Sequence, residues 1–185
     1  MDIIRDRKNS LRLKGYDYSR NGAYYITIVV NDRQCLLGSV ERGRMVSSVL
    51  GRIVRKTWDE LPNHYKNVQL GAFCVMPNHV HGIIFIGDGH VVGAGFKPAP
   101  TTCTPVPTCK PAPTAPIRNH GLSEIVRGFK TFSARQINEH CHTEGQAVWQ
   151  RNFYDRIIRD EDELVKLVEY IRQNPARWVK DLMDQ

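Results

Sequence analysis

The chain has 185 residues, of which 41% are hydrophobic and 24% charged, and these fractions exclude a wholly disordered or fibrous protein. Lys and Arg total 26 against 19 Asp and Glu, and the net charge of +7 favours a polyanionic partner. No apolar run approaches the ~20 residues of a membrane span, which argues against a membrane protein.

The compartment follows from the N-terminus and the cysteines. Residues 1–14 alternate charged and apolar side chains and contain no apolar segment of the kind found in a secretory signal. The five cysteines are odd in number and no pair has C-x-x-C spacing, so neither a disulfide framework nor a structural zinc cluster is expected. We therefore expect a cytoplasmic protein.

The first half of the chain predicts strands with one helix between them. Residues 23–31 are β-branched and aromatic, which is typical of a strand, and 35–40 is a candidate short second strand. Residues 46–61 have apolar side chains at helical spacing, with basic residues on the other side. Two apolar runs, 68–76 and 80–86, predict a buried pair of strands.

A segment unlike the rest follows these strands. Residues 87–119 are first Gly-rich and then Pro/Thr-rich, and they contain seven of the ten prolines. Proline removes backbone donors and the segment has few bulky side chains to bury, so we expect an extended or disordered loop. We interpret it as a flexible insertion within a single domain that spans residues 1–185.

The second half of the chain adds helices and one strand. Residues 122–138 predict an amphipathic helix, 153–158 a strand, and 161–174 a third helix whose first turn is acidic. We expect Pro175 to start a last short helix. The mixed order of elements predicts an α+β fold in which helices cover one face of an antiparallel sheet.

Two histidines are candidate metal ligands. His79 and His81 are separated by one residue at the start of a predicted strand, so their imidazoles should project side by side from one face. A strand presents two neutral nitrogens to one metal ion in this way. The alternative is two polar residues at the edge of a strand, although an unpaired imidazole in an apolar run would be costly.

Tyr170 and Asn174 are four residues apart on the third predicted helix and therefore share a helical face. A phenol and an amide oxygen on that face could reach a metal held by the two histidines. Tyr170 could instead be an amphipathic residue at the rim of the helix. Asn174 could instead cap the short helix that Pro175 is expected to start, and the two interpretations of Asn174 remain open.

Other tyrosines compete for a functional role. Tyr24 and Tyr25 are neighbours in the first strand, where alternation puts one of them in the core. Tyr154 lies beside Arg151 and Arg156, a plausible phosphate-facing position, although packing is the commoner role for such a residue.

Three segments together resemble a known family. They read MPNHVHGIIFI, GLSEIVRGFKTFSARQIN and VWQRNFYDRIIRDEDELVKLVEYIRQNPARW. They are similar to the single-tyrosine HUH transposases, and most of all to the REP-associated tyrosine transposase branch. The ordered set of P-N-H-V-H, W-Q-R-x-F and E-Y-I-x-x-N-P is specific, and the resemblance spans nearly the whole chain outside 87–119.

The resemblance implies a ferredoxin-like α+β fold of the HUH endonuclease type. It implies His79 and His81 as metal ligands and Tyr170 as the nucleophile, with Asn174 completing the metal site one helical turn later. Gln173 is the neighbour that could be confused with Asn174. Two nitrogens and an amide oxygen with open positions suit Mg²⁺ or Mn²⁺.

The implied activity is metal-dependent cleavage and rejoining of single-stranded DNA beside a hairpin, through a 5′-phosphotyrosine, by a monomer or a homodimer. Two alternatives remain: a domesticated module that binds hairpin nucleic acid without cutting it, and a metal hydrolase of small phosphate esters. Candidate DNA contacts are the basic residues outside the insertion, namely Arg12, Lys14, Arg127, Lys130, Arg135, Arg151 and Arg156.

Overall fold

The computed structural model describes residues 17–18, 20–87 and 120–183, with side chains as far as Trp178. Two predicted DNA contacts, Arg12 and Lys14, lie outside the described residues. The predicted insertion also lies outside them, except for its first residue, Gly87.

Six strands and four helices make up the described part of the chain. The strands are β1 (Gly22–Val29), β2 (Gly38–Glu41), β3 (Arg44–Ser47), β4 (Val68–Met76), β5 (His79–Ile86) and β6 (Tyr154–Ile158). The helices are α1 (Val49–Asp59), α2 (Leu61–His64), α3 (Leu122–Cys141) and α4 (Glu161–Met183), and a short 3₁₀ turn covers Asn31–Arg33.

Four of the strands form one sheet in the order β4-β5-β1-β6, and every neighbouring pair is antiparallel. Strands β2 and β3 form a separate hairpin. The central strands β5 and β1 have both faces covered, which accounts for their largely apolar and aromatic sequences. The predicted ferredoxin-like α+β fold with an antiparallel sheet is confirmed.

Helices cover both faces of the sheet, so the expectation of helices on one face is wrong. On one face, Tyr24, Ile26 and Ile28 of β1 pack with Trp58 of α1 and Phe129 of α3, and we call this the α1/α3 face. On the other face, a smaller cluster joins sheet residues to α4, and we call this the α4 face. Its buried members are Ala23, Ile83, Ile158 and Ile171. Because successive residues of a strand point to opposite faces, the same strands supply both clusters.

The first predicted helix begins later than expected, because residues 46 and 47 belong to β3. Ser48 is the N-cap of α1, and its side chain accepts a hydrogen bond of 3.1 Å from the backbone N–H of Gly51. A serine cap satisfies one of the free N–H groups of the first turn. The helix therefore starts at Val49, and the apolar Val46 before it is 47% exposed.

The last helix does not end before Pro175, so the predicted break there is wrong. Helix α4 runs unbroken through this proline, and Asn174 is inside the helix and not its N-cap. Proline removes one helical hydrogen bond. Tertiary contact supports the continuation, because a Cβ placed on Gly43, in the turn between β2 and β3, would lie 3.6 Å from the Cα of Ala176.

In the described residues no helix is both long and apolar enough to cross a bilayer. The cysteines in this part of the chain, Cys35, Cys74 and Cys141, are free thiols.

Candidate active site on the α4 face

The two histidines of β5 lie side by side on the α4 face, as strand alternation predicts. They pair with β1, where His79 is opposite Val29 and His81 is opposite Thr27. The Nε2 atoms of the two imidazoles are 2.9 Å apart. Both rings thus aim their outer nitrogens at one point.

The inner nitrogens of the two rings are hydrogen-bonded to neutral oxygen atoms. His79 Nδ1 is 2.7 Å from Asn78 Oδ1. His81 Nδ1 is 2.7 Å from the Tyr25 hydroxyl and 2.9 Å from Thr27 Oγ1. Thr27 Oγ1 also donates to the Tyr25 hydroxyl over 3.3 Å. These contacts fix the planes of both rings.

Burial keeps both imidazoles neutral at neutral pH. The pKa of His79 is lowered to about 4, chiefly by burial and further by the positive charge of Arg33. The pKa of His81 lies well below its ordinary value, again chiefly because of burial and then because of His79. Burial likewise raises the pKa of Tyr25. The hydrogen bond from Thr27 acts to lower this pKa, and the nearby Tyr170 acts to raise it. Neutral imidazole is the form that can bind a metal ion.

Helix α4 brings Tyr170 to this pair. Its ring lies edge-on to the His81 ring with 5.6 Å between centroids, and edge-on to the Tyr25 ring at 6.4 Å. The guanidinium carbon of Arg177 is 6.0 Å from the centroid of the Tyr170 ring. The half-buried phenol is therefore next to one neutral imidazole, that of His81, and one cation.

Asn174 lies one helical turn beyond Tyr170. It is 5% exposed, and its Nδ2 has no hydrogen-bond partner among the described residues. One turn further, the ring of Trp178 is 5.7 Å from that of His79. Because residues four apart share a helical face, Asn174 lies between the two contacts that α4 makes with the histidines.

Gln173 is engaged elsewhere. Its side chain donates to Glu169 and accepts a hydrogen bond of 2.7 Å from Arg177. Both bonds run along the exposed side of α4. Of the two adjacent amides, Asn174 is therefore the one placed on the side that faces the histidines.

In the part of the chain that the structure describes, no group of three or more His, Cys, Asp or Glu side chains is arranged to hold a metal ion. The donors that the sequence predicted are the two imidazole nitrogens and the amide of Asn174. All three are neutral.

The predicted DNA contacts fall in several places. Arg127 and Arg135 are exposed on α3, which covers the α1/α3 face, and Arg151 is exposed in the segment before β6. Lys130 is half-buried, and its Nζ donates to the backbone oxygens of Gln150 at 2.6 Å and Arg151 at 2.9 Å. Burial lowers the pKa of Lys130. Its two hydrogen bonds connect α3 to the segment before β6.

Strand β6 places two further residues on the α4 face. Arg156 is opposite Tyr25, and Tyr154 is opposite Thr27. The side chain of Arg156 is 63% exposed and forms an ion pair of 2.5 Å with Glu163. Arg156 is thus the predicted DNA contact that shares a face with the histidines.

Sequence reasoning missed the hydrogen-bond partners of the histidines. Alternation had already predicted that Tyr24 or Tyr25 lies outside the core, and Tyr24 is the buried one, but the register that pairs Thr27 with His81 cannot be read from the chain. Trp178 could have been found, because it continues the four-residue spacing that begins at Tyr170.

Comparisons with known proteins give the following similarities. No protein-family model matches the chain. An uncharacterised protein of Haemophilus influenzae (strain ATCC 51907 / DSM 11121 / KW20 / Rd) is 36% identical over 177 residues, which cover 94% of this chain and 91% of that protein. A putative REP-associated tyrosine transposase of the same strain is 21% identical over 172 residues, covering 87% of this chain and 74% of that protein.

Among solved structures, a REP-associated tyrosine transposase bound to a REP hairpin shares the fold, with a TM-score of 0.56 and 17% identity, and the match covers 90% of this chain and 73% of that one. The similarities in sequence and in fold both extend over most of the chain.

Proposed function

The chain belongs to one family with the uncharacterised Haemophilus influenzae protein and has the fold of the REP-associated tyrosine transposases, and on this basis we propose that it cuts and rejoins single-stranded DNA. The substrate that we propose is a single strand beside a hairpin. The hairpin held by the solved relative and the net charge of +7 support this choice. The proposed intermediate is a 5′-phosphotyrosine.

One observation carries the proposal: the Tyr170 ring meets His81, one of two neutral histidines whose Nε2 atoms are 2.9 Å apart. A phenol with its ordinary pKa of ~10 is protonated at neutral pH and is then a weak nucleophile. It acts as a covalent nucleophile where its surroundings activate it. The guanidinium carbon of Arg177, 6.0 Å from the ring centroid, places a positive charge beside this ring.

The proposed reaction is a transfer of the phosphoryl group to Tyr170. The phenolic oxygen forms a bond to phosphorus, the bond between phosphorus and the 3′ oxygen breaks, and the phenolic proton is lost to water. The departing 3′ oxygen takes up a proton from water and becomes a free hydroxyl. Rejoining is the reverse, with a 3′-hydroxyl as nucleophile, so the bond energy is retained and no ATP is needed.

The residues of the site fit a divalent ion, Mg²⁺ or Mn²⁺. The 2.9 Å between the histidine Nε2 atoms lets both nitrogens serve one ion. Nδ2 of the buried Asn174 amide has no hydrogen-bond partner among the described residues and needs one, and a half-turn of the amide exchanges its nitrogen and oxygen. His79, His81 and Asn174 would hold the ion, which when bound would polarise the scissile phosphate.

Arg156 is the described residue that we propose as a phosphate contact. Its exposed guanidinium lies on the α4 face, on the strand next to Tyr25. A guanidinium binds phosphate with paired N–H donors. The exposed Arg127, Arg135 and Arg151 would add long-range attraction for DNA.

The test uses hairpin oligonucleotides with single-stranded flanks, taken from DNA beside the gene and labelled at the 5′ or the 3′ end. The full chain is incubated with each in Mg²⁺ or Mn²⁺ and resolved on a denaturing gel. We expect a protein-linked band that keeps the 3′ label and disappears with a chelator. It should also disappear in Tyr170→Phe and persist in Tyr154→Phe, the matched control on the same face.

Other outcomes contradict parts of the proposal. A covalent band that survives Tyr170→Phe would move the nucleophile to another tyrosine, Tyr154 first. Hairpin binding without any covalent product would favour the non-cutting nucleic-acid-binding module. Hydrolysis of a small phosphate ester that survives Tyr170→Phe would favour the metal hydrolase.

A further inference from the structure

All four ring nitrogens of His79 and His81 have a hydrogen-bond partner. The bonds join Asn78 to His79, His79 to His81, and His81 to Tyr25 and Thr27. A neutral imidazole carries one N–H and one lone pair. The partners at the two ends of this series of hydrogen bonds therefore decide which nitrogen of each ring carries the hydrogen.

The hydrogen of His79 is fixed by Asn78. The amide oxygen of Asn78 can only accept, so His79 Nδ1 donates to it over 2.7 Å. His79 Nε2 is then a lone pair. The 2.9 Å contact between the two Nε2 atoms consequently requires that His81 donates from its Nε2 to that lone pair.

At the other end of the series of hydrogen bonds, the partners of His81 are hydroxyls. With its hydrogen on Nε2, His81 must accept at Nδ1. Tyr25, at 2.7 Å, and Thr27, at 2.9 Å, can both donate there. A hydroxyl is also an acceptor and rotates to suit its partner, whereas an amide oxygen or a carboxylate could only accept.

We propose that Tyr25 and Thr27 are positioning residues that allow His81 to exchange its tautomer, whereas Asn78 holds His79 in a single tautomer. This inference rests on the proposed use of both Nε2 atoms as metal ligands. Without a metal ion, His81 carries its hydrogen on Nε2 and donates to His79. With one, the hydrogen is on Nδ1 and is accepted by Tyr25 and Thr27.

The exchange needs no movement of either ring. The spacing of 2.9 Å suits a hydrogen bond between two nitrogens and also suits two ligands of one ion. Both Nδ1 atoms keep their hydrogen bonds in the two states, whereas the ion would replace the hydrogen bond between the Nε2 atoms. The His81 hydrogen moves from Nε2 to Nδ1, and the hydroxyl hydrogens turn to accommodate it. His79 presents a lone pair at Nε2 in both states, whereas His81 presents one only after its hydrogen has moved to Nδ1.

The first test is the tautomer of each histidine, which nitrogen NMR reports directly. The full chain, labelled with ¹⁵N-histidine, is studied near pH 7.5 with a chelator, and the two residues are assigned with His79→Gln and His81→Gln. We expect the hydrogen of His79 on Nδ1 and that of His81 on Nε2. Adding diamagnetic Mg²⁺ should move the His81 hydrogen to Nδ1 and leave His79 unchanged.

The second test removes the hydroxyls. Tyr25→Phe combined with Thr27→Val leaves His81 Nδ1 without an acceptor for its hydrogen. We expect Mn²⁺ affinity, measured by electron paramagnetic resonance, to fall by about 10- to 100-fold, as for other ligands that lose their supporting hydrogen bond. With Tyr25→Phe as background, Thr27→Ser should bind more tightly than Thr27→Val, because serine restores a hydroxyl. The matched control is Tyr24→Phe, on the opposite face of the same strand, which should keep the parent affinity.

The failures of the two proposals can be told apart. A His81 hydrogen on Nδ1 in the presence of chelator, or a double variant with the parent Mn²⁺ affinity, would overturn the tautomer proposal even if Tyr170 cuts DNA. Tautomers and affinities as expected, in a chain that forms no covalent product, would support the tautomer proposal and overturn the proposed cleavage.

Discussion

The two faces of the sheet differ in what they bury. On the α1/α3 face, Trp58 stacks on Phe73 at 4.3 Å and meets Phe129 edge-on at 5.7 Å, within a large apolar cluster. On the α4 face, the apolar cluster is small, and His79 and His81 lie beside it. Both faces are made by the same strands.

This difference shows how a small domain can bury polar groups on one face of its sheet. Burying polar groups reduces stability unless each has a partner. The α1/α3 face supplies the apolar burial that the α4 face lacks, at ~25 cal/mol per Å² of apolar surface removed from water. We therefore expect changes on one face to affect stability and changes on the other to affect chemistry.

The largest effect on stability should come from Trp58→Ala. The side chain is 1% exposed and touches two aromatic rings, so its loss leaves a cavity that should lower the free energy of unfolding by about 3–5 kcal/mol. Tyr170→Phe removes one hydroxyl from a half-buried ring and should change it by less than about 0.5 kcal/mol. Urea unfolding followed by circular dichroism measures both. Equal effects would contradict the division between the faces.

Acid should destabilise the α4 face. An unfolded chain binds a proton at His79 below its ordinary pKa of ~6.5, whereas the folded chain binds it only near pH 4. The free energy of unfolding should therefore fall as the pH falls from 6.5 to 4, on the order of 3 kcal/mol from His79 alone. Melting temperatures measured at several pH values with a chelator test this. His79→Gln should flatten the dependence.

A buried polar pair on the α1/α3 face offers a further test. Ser133 Oγ accepts a hydrogen bond of 2.9 Å from Trp149 Nε1 and donates one of 2.7 Å to the backbone oxygen of Phe129. Ser133→Ala leaves the indole N–H unpaired and should lower the free energy of unfolding by about 1–3 kcal/mol. The same unfolding measurement applies. No loss of stability would mean that this hydrogen bond contributes little.

The smallest effect has the opposite sign. Asn174 is buried and its amide nitrogen has no partner among the described residues, so Asn174→Leu, which has a similar volume, should raise the free energy of unfolding by about 1 kcal/mol. The same variant should weaken Mn²⁺ binding, measured by calorimetry. Stabilisation with unchanged Mn²⁺ binding would remove Asn174 from the proposed ligands, and loss of stability would show that its amide is satisfied.

Local patterns predicted most of the fold. Residue types identified β1, β4, β5 and β6, and helical spacing identified α1, α3 and the first part of α4. Alternation alone placed His79 and His81 side by side, and the four-residue spacing placed Asn174 after Tyr170 on one helical face. These features depend on a few neighbouring residues, which is why the chain reveals them.

Features that depend on distant contacts were not predicted. Helix α4 continues through Pro175, where local propensity favours a break, while Ala176 packs against Gly43 of the hairpin. The bulge in β4 between Leu70 and Phe73 is another such feature, since it puts two residues of β4, Gly71 and Ala72, opposite one residue of β5. Pairing of Thr27 with His81 depends on the register between strands far apart in the chain.

The single helix that carries Tyr170, Asn174 and Trp178 also sets a strict limit on chain length. Each residue of an α-helix turns the next by ~100° and advances it by ~1.5 Å. One residue inserted within α4 before Tyr170 would therefore swing the phenol by over a quarter of a turn away from His81. Ile171, buried in the small cluster of the α4 face, would turn by the same angle, while the contacts of the α1/α3 core would be kept. The length of α4 before Tyr170 is therefore set by packing and by the site together.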